Sequence, residues 1–226
     1  RTPCIHPSQI GIFFPCTSQY ESYCTAALHH PLTTMMFGWP HRDCLKEEVH
    51  LKLLDLQNTR PNSEGRKEVV LGLLDLFQRS PASVYQLYDL NTTRTTALHC
   101  FLKEGEGIGS IQSLCKICPR LYKLLKTKDS NCDLPLHVAC QYSTPAVIEY
   151  MTKKTPNKSL RCFNTKRYLA CHHALLNTHH QLPLATMKLL LSQCKKDYEW
   201  DKCWSLALLT GQSPQLLELM LEKYPN

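Results

Sequence analysis

A short histidine-containing phrase recurs along the chain, and an internal repeat constrains the fold more than any other feature of this sequence. Its copies are centred on four histidines: His29, His99, His137 and His172. The last three are 38 and 35 residues apart, and the first precedes His99 by 70 residues, near twice that period. A period of this length predicts structural units that stack on one another, because one unit alone cannot bury its apolar face.

A second phrase accompanies the first and consists of two apolar residues three apart, with a proline eight positions after the first of them. Its copies are Leu53/Leu56/Pro61, Leu73/Leu76/Pro81, Ile111/Leu114/Pro119, Ile148/Met151/Pro156 and Leu217/Met220/Pro225. Apolar residues three apart share one face of a helix, and a trailing proline cannot continue that helix. Each copy therefore predicts an amphipathic helix followed by its stop.

Each unit is predicted to contain a helix opened by the histidine phrase, a short loop and a second helix that ends near proline. In the third unit the first helix is expected at 135–141 and the second at 145–154. Pro135 and Pro145 suit a first helical turn, where the missing N–H is not needed. Ser143 or Thr144 is expected to cap the second helix.

The phrase Leu134–Ala139 resembles the Thr-Pro-Leu-His-x-Ala motif of the ankyrin repeat family, and the period and helix order agree with that family. The resemblance extends over 25–226 and is clearest from residue 91 onward. It implies an all-α solenoid of stacked antiparallel helix pairs, with short finger turns and a concave protein-binding face. We expect about 5–6 units, with a degenerate or inserted stretch near 34–66 that holds one unit or two. Residues 1–24 are expected to form an irregular N-terminal capping segment.

The same resemblance implies that the repeat histidines serve the fold, their imidazoles binding backbone groups of the neighbouring turn. Eight residues before each histidine the family has Asp or Asn, and the chain has Asn91, Asp129 and Asn164. Five residues before it the family favours a left-handed glycine, whereas the chain has Arg94, Cys132 and Arg167. These departures predict finger turns that are either reshaped or slightly strained. The last unit, around 204–208, lacks the histidine.

The thirteen cysteines are odd in number and spread over the whole chain, which favours buried thiols over a disulfide framework. The Cys115–Cys118 motif is expected within a second helix, with one thiol buried and one near the surface. A cluster near the N-terminus contains thiol and imidazole groups at spacings that match no known zinc finger: Cys4, His6, Cys16, Cys24, His29 and His30. We therefore expect no bound metal and no cofactor. No nucleotide-binding or hydrolase motif is present, so the chain is not expected to be an enzyme.

The formal charge of +7 is concentrated in the second half, where 114–226 holds 16 Lys/Arg against 8 Asp/Glu. Part of this excess extends from the end of one second helix into the next finger: Lys153, Lys154, Lys158, Arg161, Lys166 and Arg167. Such a run is often only a solvated face. As a binding surface it favours an acidic protein partner, with nucleic acid as the weaker alternative because no nucleic-acid-binding motif accompanies it.

These observations predict a protein–protein interaction module that binds its partner through the fingers and the concave face. Two alternatives remain: a basic nucleic-acid-associated domain, or a non-catalytic segment that recruits substrate for a larger enzyme. No apolar run is long enough to span a membrane, so no membrane partner is expected. We expect an intracellular protein of the cytoplasm or nucleus. The missing starting Met suggests a monomeric fragment of a longer chain.

Overall fold

The computed structural model describes residues 40–90, 93–177 and 180–224, so the capping segment, His29, Asn91 and the N-terminal cysteines lie outside the described residues. The helices in chain order are α1 (Pro40–Asn58), α2 (Glu64–Arg79), α3 (Ala97–Lys103), α4 (Ile108–Ile117), α5 (Leu121–Lys126), α6 (Pro135–Tyr142), α7 (Pro145–Lys154), α8 (Ala170–Leu176), α9 (Leu184–Leu191), α10 (Asp197–Leu209) and α11 (Pro214–Lys223). Short 3₁₀ turns occupy Pro81–Tyr85 and Ser159–Arg161. All packing described below lies within 42–226, which form one structural unit.

The described chain is mostly helical, but it is not all-α as the sequence predicted. Two short strands, β1 (Tyr88–Leu90) and β2 (Thr93–Thr95), pair antiparallel, with Tyr88 opposite Thr95. Tyr88 and Leu90 are buried while Asp89 between them is exposed. That alternation is the pattern of a half-buried strand, and it is too short to stand out against the helical repeat.

The helix bounds of the third unit match the sequence prediction, since α6 covers Pro135–Tyr142 and α7 covers Pro145–Lys154. The N-cap of α7 stands at a predicted position, but it lacks the expected side-chain hydrogen bond. Thr144 occupies the N-cap position of α7 but its side chain makes no capping bond. The Ser143 hydroxyl is fully buried and instead donates to the carbonyl oxygen of Leu102 in α3 at 3.2 Å. The Ser143 side chain therefore links two units and does not cap α7.

The apolar pairs of the second phrase form much of the core. Nine of these ten side chains are at most 1% exposed: Leu53, Leu56, Leu73, Leu76, Ile111, Leu114, Ile148, Met151 and Met220. Full burial of a side chain of this size stabilises the fold by about 1.5–3 kcal/mol. In α11 Met220 is buried, whereas Leu217 is only partly buried.

The degenerate stretch near 34–66 includes all of α1 and the start of α2, which are joined by hydrogen bonds of Arg66. Arg66, near the start of α2, donates to the carbonyl oxygens of Leu56 at 3.4 Å and Thr59 at 3.0 Å, at the end of α1. Its Nε also donates to Glu106 at 2.6 Å, in the loop after α3. Arg66 is 5% exposed, and its ion pair with Glu106 satisfies the buried charge. Arg66 therefore connects the end of α1, the start of α2 and the loop after α3.

The helix pairs contact one another in two rows. The first helices of the pairs touch in the order α3, α6, α8 and α10. The second helices touch in the order α2, α4 and α7, and α9 touches α11. The sequence placed the last unit around 204–208, and this stretch lies in the second half of α10, which begins at Asp197.

The three described repeat histidines connect successive units, as expected. Each Nε2–H donates at 3.0 Å to a backbone carbonyl further along the chain: His99 to Asp133, His137 to Cys162 and His172 to Glu199. Each Nδ1 accepts a hydrogen bond from the start of its own helix: from the Thr96 hydroxyl at 2.7 Å, the Leu134 N–H at 2.9 Å and the Leu169 N–H at 2.8 Å, respectively. Both ring nitrogens are therefore satisfied, which requires a neutral imidazole.

We predict that His137→Ala lowers the free energy of unfolding by about 1–3 kcal/mol, because it leaves the buried Leu134 N–H and the Cys162 carbonyl without a partner. Urea unfolding followed by circular dichroism measures this change. Tyr142→Ala in the same helix serves as a control, since Tyr142 is 40% exposed. An unchanged midpoint for His137→Ala would contradict the structural role of this ring.

Acid should weaken the fold between about pH 6.5 and pH 4. Burial lowers the pKa of His99 to about 4 and that of His137 to about 4. Because the unfolded chain binds these protons near pH 6.5 and the folded chain resists them, this stability is fully present above pH 6.5 and declines as the pH falls. Each group contributes about 1.4 kcal/mol per pH unit within that window.

Urea midpoints measured at pH 7, 6 and 5 test this dependence. The His137→Ala variant should show a shallower pH dependence than the original chain, since one of the titrating groups is gone. If the stability of the two proteins changes equally with pH, the His137 ring takes up its proton as readily in the folded chain as in the unfolded chain.

Candidate functional site

Three neighbouring fingers form one continuous surface, which we call the finger face: residues 93–95, 129–133 and 164–168. The Ser130 N–H donates to the Arg94 carbonyl at 2.9 Å, and the Thr165 N–H donates to the Asn131 carbonyl at 3.0 Å. A cleft runs along the fingers and is lined by side chains from all three. Because each finger is bonded to the next through its backbone, the face is a connected surface.

Asp129 and Asn164 shape their fingers in the same way. The Asp129 carboxylate accepts the N–H groups of Asn131 and Asp133, both at 2.8 Å. The Asn164 side-chain oxygen accepts the N–H of Lys166 at 3.0 Å and that of Tyr168 at 2.9 Å. A short polar side chain that binds the backbone two and four residues on fixes a tight turn. This explains why Asp or Asn stands at this position of the repeat.

The strain predicted for the fingers is present in two of them. Cys132 has φ 59° and Arg167 has φ 57°, which places both in the left-handed region that favours glycine. Arg94 does not, because it lies in β2 opposite Asp89, and this finger is reshaped instead of strained there. Extended strand backbone at Arg94 calls for no left-handed conformation at that position.

A buried polar network supports the fingers from below, and the sequence did not predict it. Asn164 Nδ2 lies 2.9 Å from Asp133 Oδ1 and 3.0 Å from His173 Nε2. His173 Nδ1 lies 2.9 Å from the side-chain oxygen of Gln141. Burial acts to raise the pKa of Asp133, but hydrogen bonds from His173 and Asn164 outweigh it and lower that pKa below its usual value. The network ties two fingers to α6 and α8.

The six predicted basic residues are all exposed. Lys153 and Lys154, in the last turn of α7, have local partners: the Lys153 ammonium is 3.9 Å from Glu149, and that of Lys154 is 5.8 Å from the ring centre of Tyr150. Lys158 precedes the 3₁₀ turn and Arg161 ends it. Lys166 and Arg167 lie at the tip of the third finger. No contact in the described part of the chain tests whether all six form one patch.

Two lysines that the sequence analysis missed extend the positive charge of the third finger. Lys202 donates to the carbonyl oxygen of Lys166 at 3.4 Å, and its ammonium lies 4.6 Å from the ring centre of Tyr168. Both Arg167 and Lys196 lie over the Tyr198 ring, at 5.6 Å and 5.7 Å from its centre. We name these four cations the basic edge: Lys166, Arg167, Lys196 and Lys202. Lys196 and Lys202 lie about 30 residues beyond the third finger in sequence. They adjoin it because α10 packs beside the finger.

The Cys115–Cys118 motif spans the end of α4, and both thiols are buried, contrary to the prediction that one lies near the surface. Burial raises the pKa of Cys118 to about 12, and the Tyr85 hydroxyl is its hydrogen-bond partner. Such a thiol is inert toward redox exchange. The Tyr150 hydroxyl is the hydrogen-bond partner of Cys115, as that of Tyr85 is of Cys118. The spacing of the two cysteines in sequence could not show these partners.

A different group of residues has the chemistry to hold a metal ion, although none was expected from the sequence. Cys171, His172, Cys194 and Cys203 offer ligand atoms that all lie within 4.8 Å of one another, and all four residues are buried. The spacing leaves 21 residues between His172 and Cys194 and 8 between Cys194 and Cys203. This spacing matches no recognisable metal-binding motif. The four residues come together only because α8, α10 and the turn before α10 pack against one another.

Comparison with known proteins does not identify the chain: no protein-family model matches it, and no curated protein matches it either. In the described part of the chain, no helix has both the length and the apolar character needed to cross a membrane. Function must therefore be inferred from the geometry of the finger face.

We predict that Cys132→Gly raises the free energy of unfolding by up to about 1 kcal/mol, because glycine adopts the left-handed conformation without strain. Arg94→Gly is the matched control at the equivalent repeat position. It should destabilise by about 0.5–1 kcal/mol, since glycine weakens a strand. Urea unfolding of both variants tests the difference, and equal effects of the two substitutions would contradict it.

Proposed function

We propose that the chain is an ankyrin-type repeat solenoid that acts as a protein–protein interaction module and not as an enzyme. The repeating geometry supports this proposal. In the second and third fingers an Asp or Asn opens the turn, a left-handed residue follows three positions later, and a histidine then links the unit to the next. This combination is what the family resemblance implies for a finger, although Cys132 and Arg167 stand where the family favours glycine.

The observation that carries the function is the basic edge above a rigid support. Asp133, Asn164 and His173 satisfy one another beneath the fingers. The carbonyl oxygens of Lys166 and Arg167 accept hydrogen bonds from Lys202, while their own side chains remain exposed. A surface held in place before binding loses less conformational entropy when a partner arrives. The finger face is thus suited to recognition.

An acidic protein is favoured as the partner over nucleic acid. Positive charge along the edge would steer a partner of opposite charge. Single-stranded nucleic acid binds by stacking bases on exposed aromatic rings. Lys202 covers one face of the Tyr168 ring, and Arg167 and Lys196 both lie within 6 Å of the Tyr198 ring centre. These cations occupy part of the ring surface on which a base would stack, although Tyr198 itself is 40% exposed.

The same surface would serve a substrate-recruiting segment of a larger enzyme, because recruitment also needs only binding. We place the protein inside the cell, in the cytoplasm or nucleus. Most of the cysteines of the described chain are buried as free thiols, and a reducing compartment maintains that state.

Charge reversal at the basic edge tests the proposal. We predict that Lys166→Glu combined with Arg167→Glu slows association with a partner captured from native lysate by about tenfold or more at low salt, with less effect on dissociation. Surface plasmon resonance with the identified partner measures both rates. Stability should change by less than about 0.5 kcal/mol, since both side chains are exposed.

Lys188→Glu combined with Lys223→Glu is the matched control, because it makes the same change in net charge on α9 and α11, away from the fingers. Equal capture by the edge variant and the original chain would show that the edge is a solvated face. Loss of capture after nuclease treatment, with a steep dependence on salt, would favour nucleic acid instead.

A further inference from the structure

The three thiols near the C-terminal end of the array form a triangle with sides close to those of a metal site. The Sγ atoms of Cys171 and Cys194 are 3.4 Å apart, those of Cys194 and Cys203 are 3.7 Å apart, and those of Cys171 and Cys203 are 4.0 Å apart. Zinc binds thiolates at about 2.3 Å in tetrahedral geometry, which places its sulfur ligands about 3.8 Å from one another. One zinc ion can therefore contact all three sulfurs with shifts of a few tenths of an ångström.

The fourth candidate ligand is His172, which follows Cys171 in α8. Its Nε2–H donates to the Glu199 carbonyl at 3.0 Å, and this is the second-shell bond that zinc-bound histidines make. Ligation through Nδ1 would keep that bond and would replace the hydrogen bond that Nδ1 now accepts from the Leu169 N–H. Three thiolates and one imidazole form a common ligand set of structural zinc sites.

The four residues are held by three separate segments before any metal is considered. Cys171 lies in the first turn of α8, and Cys203 lies in the middle of α10. Cys194 lies in the turn between α9 and α10, where its N–H donates to the Leu191 carbonyl at 2.9 Å. The Glu199 carboxylate then accepts the Lys195 N–H at 2.6 Å, which fixes the approach to α10. The site is thus preorganised on bonded backbone.

Burial distinguishes this group from a surface binding site and from ordinary core cysteines. None of the four residues is more than 7% exposed, so a bound ion would be closed off from water, as in structural zinc sites. Cys140 in α6 is just as deeply buried, but no other thiol of the described chain contacts it. A cysteine of that kind acts as a small apolar side chain. Convergence of three thiols and a histidine from distant segments needs a different explanation.

We propose that Cys171, His172, Cys194 and Cys203 form a structural zinc site that joins α8 to α10 and to the turn between α9 and α10. The three thiols bind as thiolates and release their protons to solvent as the ion enters. The site stabilises the last helix pairs of the array and has no open position for catalysis. This inference is independent of the proposed binding function.

Metal content of the full chain, purified under reducing conditions without chelator from zinc-supplemented medium, tests the proposal. Native mass spectrometry and elemental analysis should find one zinc ion per chain. Cys203→Ala should lower the zinc content at least about tenfold, since it removes one of four ligands. Cys140→Ala is the matched control and should retain the full amount.

A second measurement on the original chain keeps the test valid if Cys203→Ala fails to fold. After removal of zinc, added Co²⁺ should give thiolate-to-cobalt charge-transfer absorption and the visible bands of a tetrahedral ion, saturating at one equivalent. Zinc added afterwards should abolish these bands and raise the melting temperature of the protein. The His172→Gln variant should alter the visible cobalt bands and weaken zinc binding about tenfold or more.

Several outcomes would overturn the proposal. The proposal is wrong if the original chain, folded and reduced, contains no zinc and gives no cobalt absorption. It is also wrong if the chain binds iron or copper in place of zinc. A disulfide between two of the three cysteines in the freshly isolated protein, detected as a mass lower by two hydrogens, overturns it as well. Unchanged zinc affinity of His172→Gln would remove the imidazole from the ligand set.

Discussion

The hydrogen bond from a neutral, buried imidazole to the backbone of the next unit is the interaction on which the described array depends. In a stacked array each unit contacts only its neighbours, so stability is set by the links between units. His137 makes such a link because its Nδ1 is held by its own helix start while its Nε2–H reaches Cys162 beyond the next second helix. Protonation would remove the acceptor at Nδ1, so the link requires that burial keep the ring neutral.

The sequence predicts the parts of this structure that repeat and misses the parts that arise from contacts between distant residues. The helices at Pro135–Tyr142 and Pro145–Lys154 follow from local periodicity and proline placement. The additional helix Leu121–Lys126 contains neither repeat phrase, so the sequence did not predict it. Ser143 is a plausible cap by sequence, yet its hydroxyl donates to the carbonyl oxygen of Leu102 on the preceding unit. A local rule fails here because a tertiary partner outcompetes the local one.

The same distinction explains which site residues could be found. Lys166 and Arg167 stand out as a charge pair within one finger, but Lys196 and Lys202 join them only because α10 packs beside that finger. His173 is adjacent to a repeat histidine in sequence and performs a different task, since it supports Asp133 and Asn164 under the fingers. Single-sequence patterns carry no information on such pairings.

The last unit shows what replaces the histidine when it is absent. In α6 and α8 the third helical residue is a histidine whose Nδ1 accepts the N–H that precedes the helix. In α10 that residue is Glu199, whose carboxylate accepts the N–H groups of Lys195 and Lys196. A carboxylate can satisfy the start of its own helix, but it has no proton with which to reach onward. The thiols of Cys171, Cys194 and Cys203 meet one another beside this same helix. A metal ion bound there would strengthen the link that His172 already makes from α8 to α10, whereas α10 has no imidazole with which to continue it.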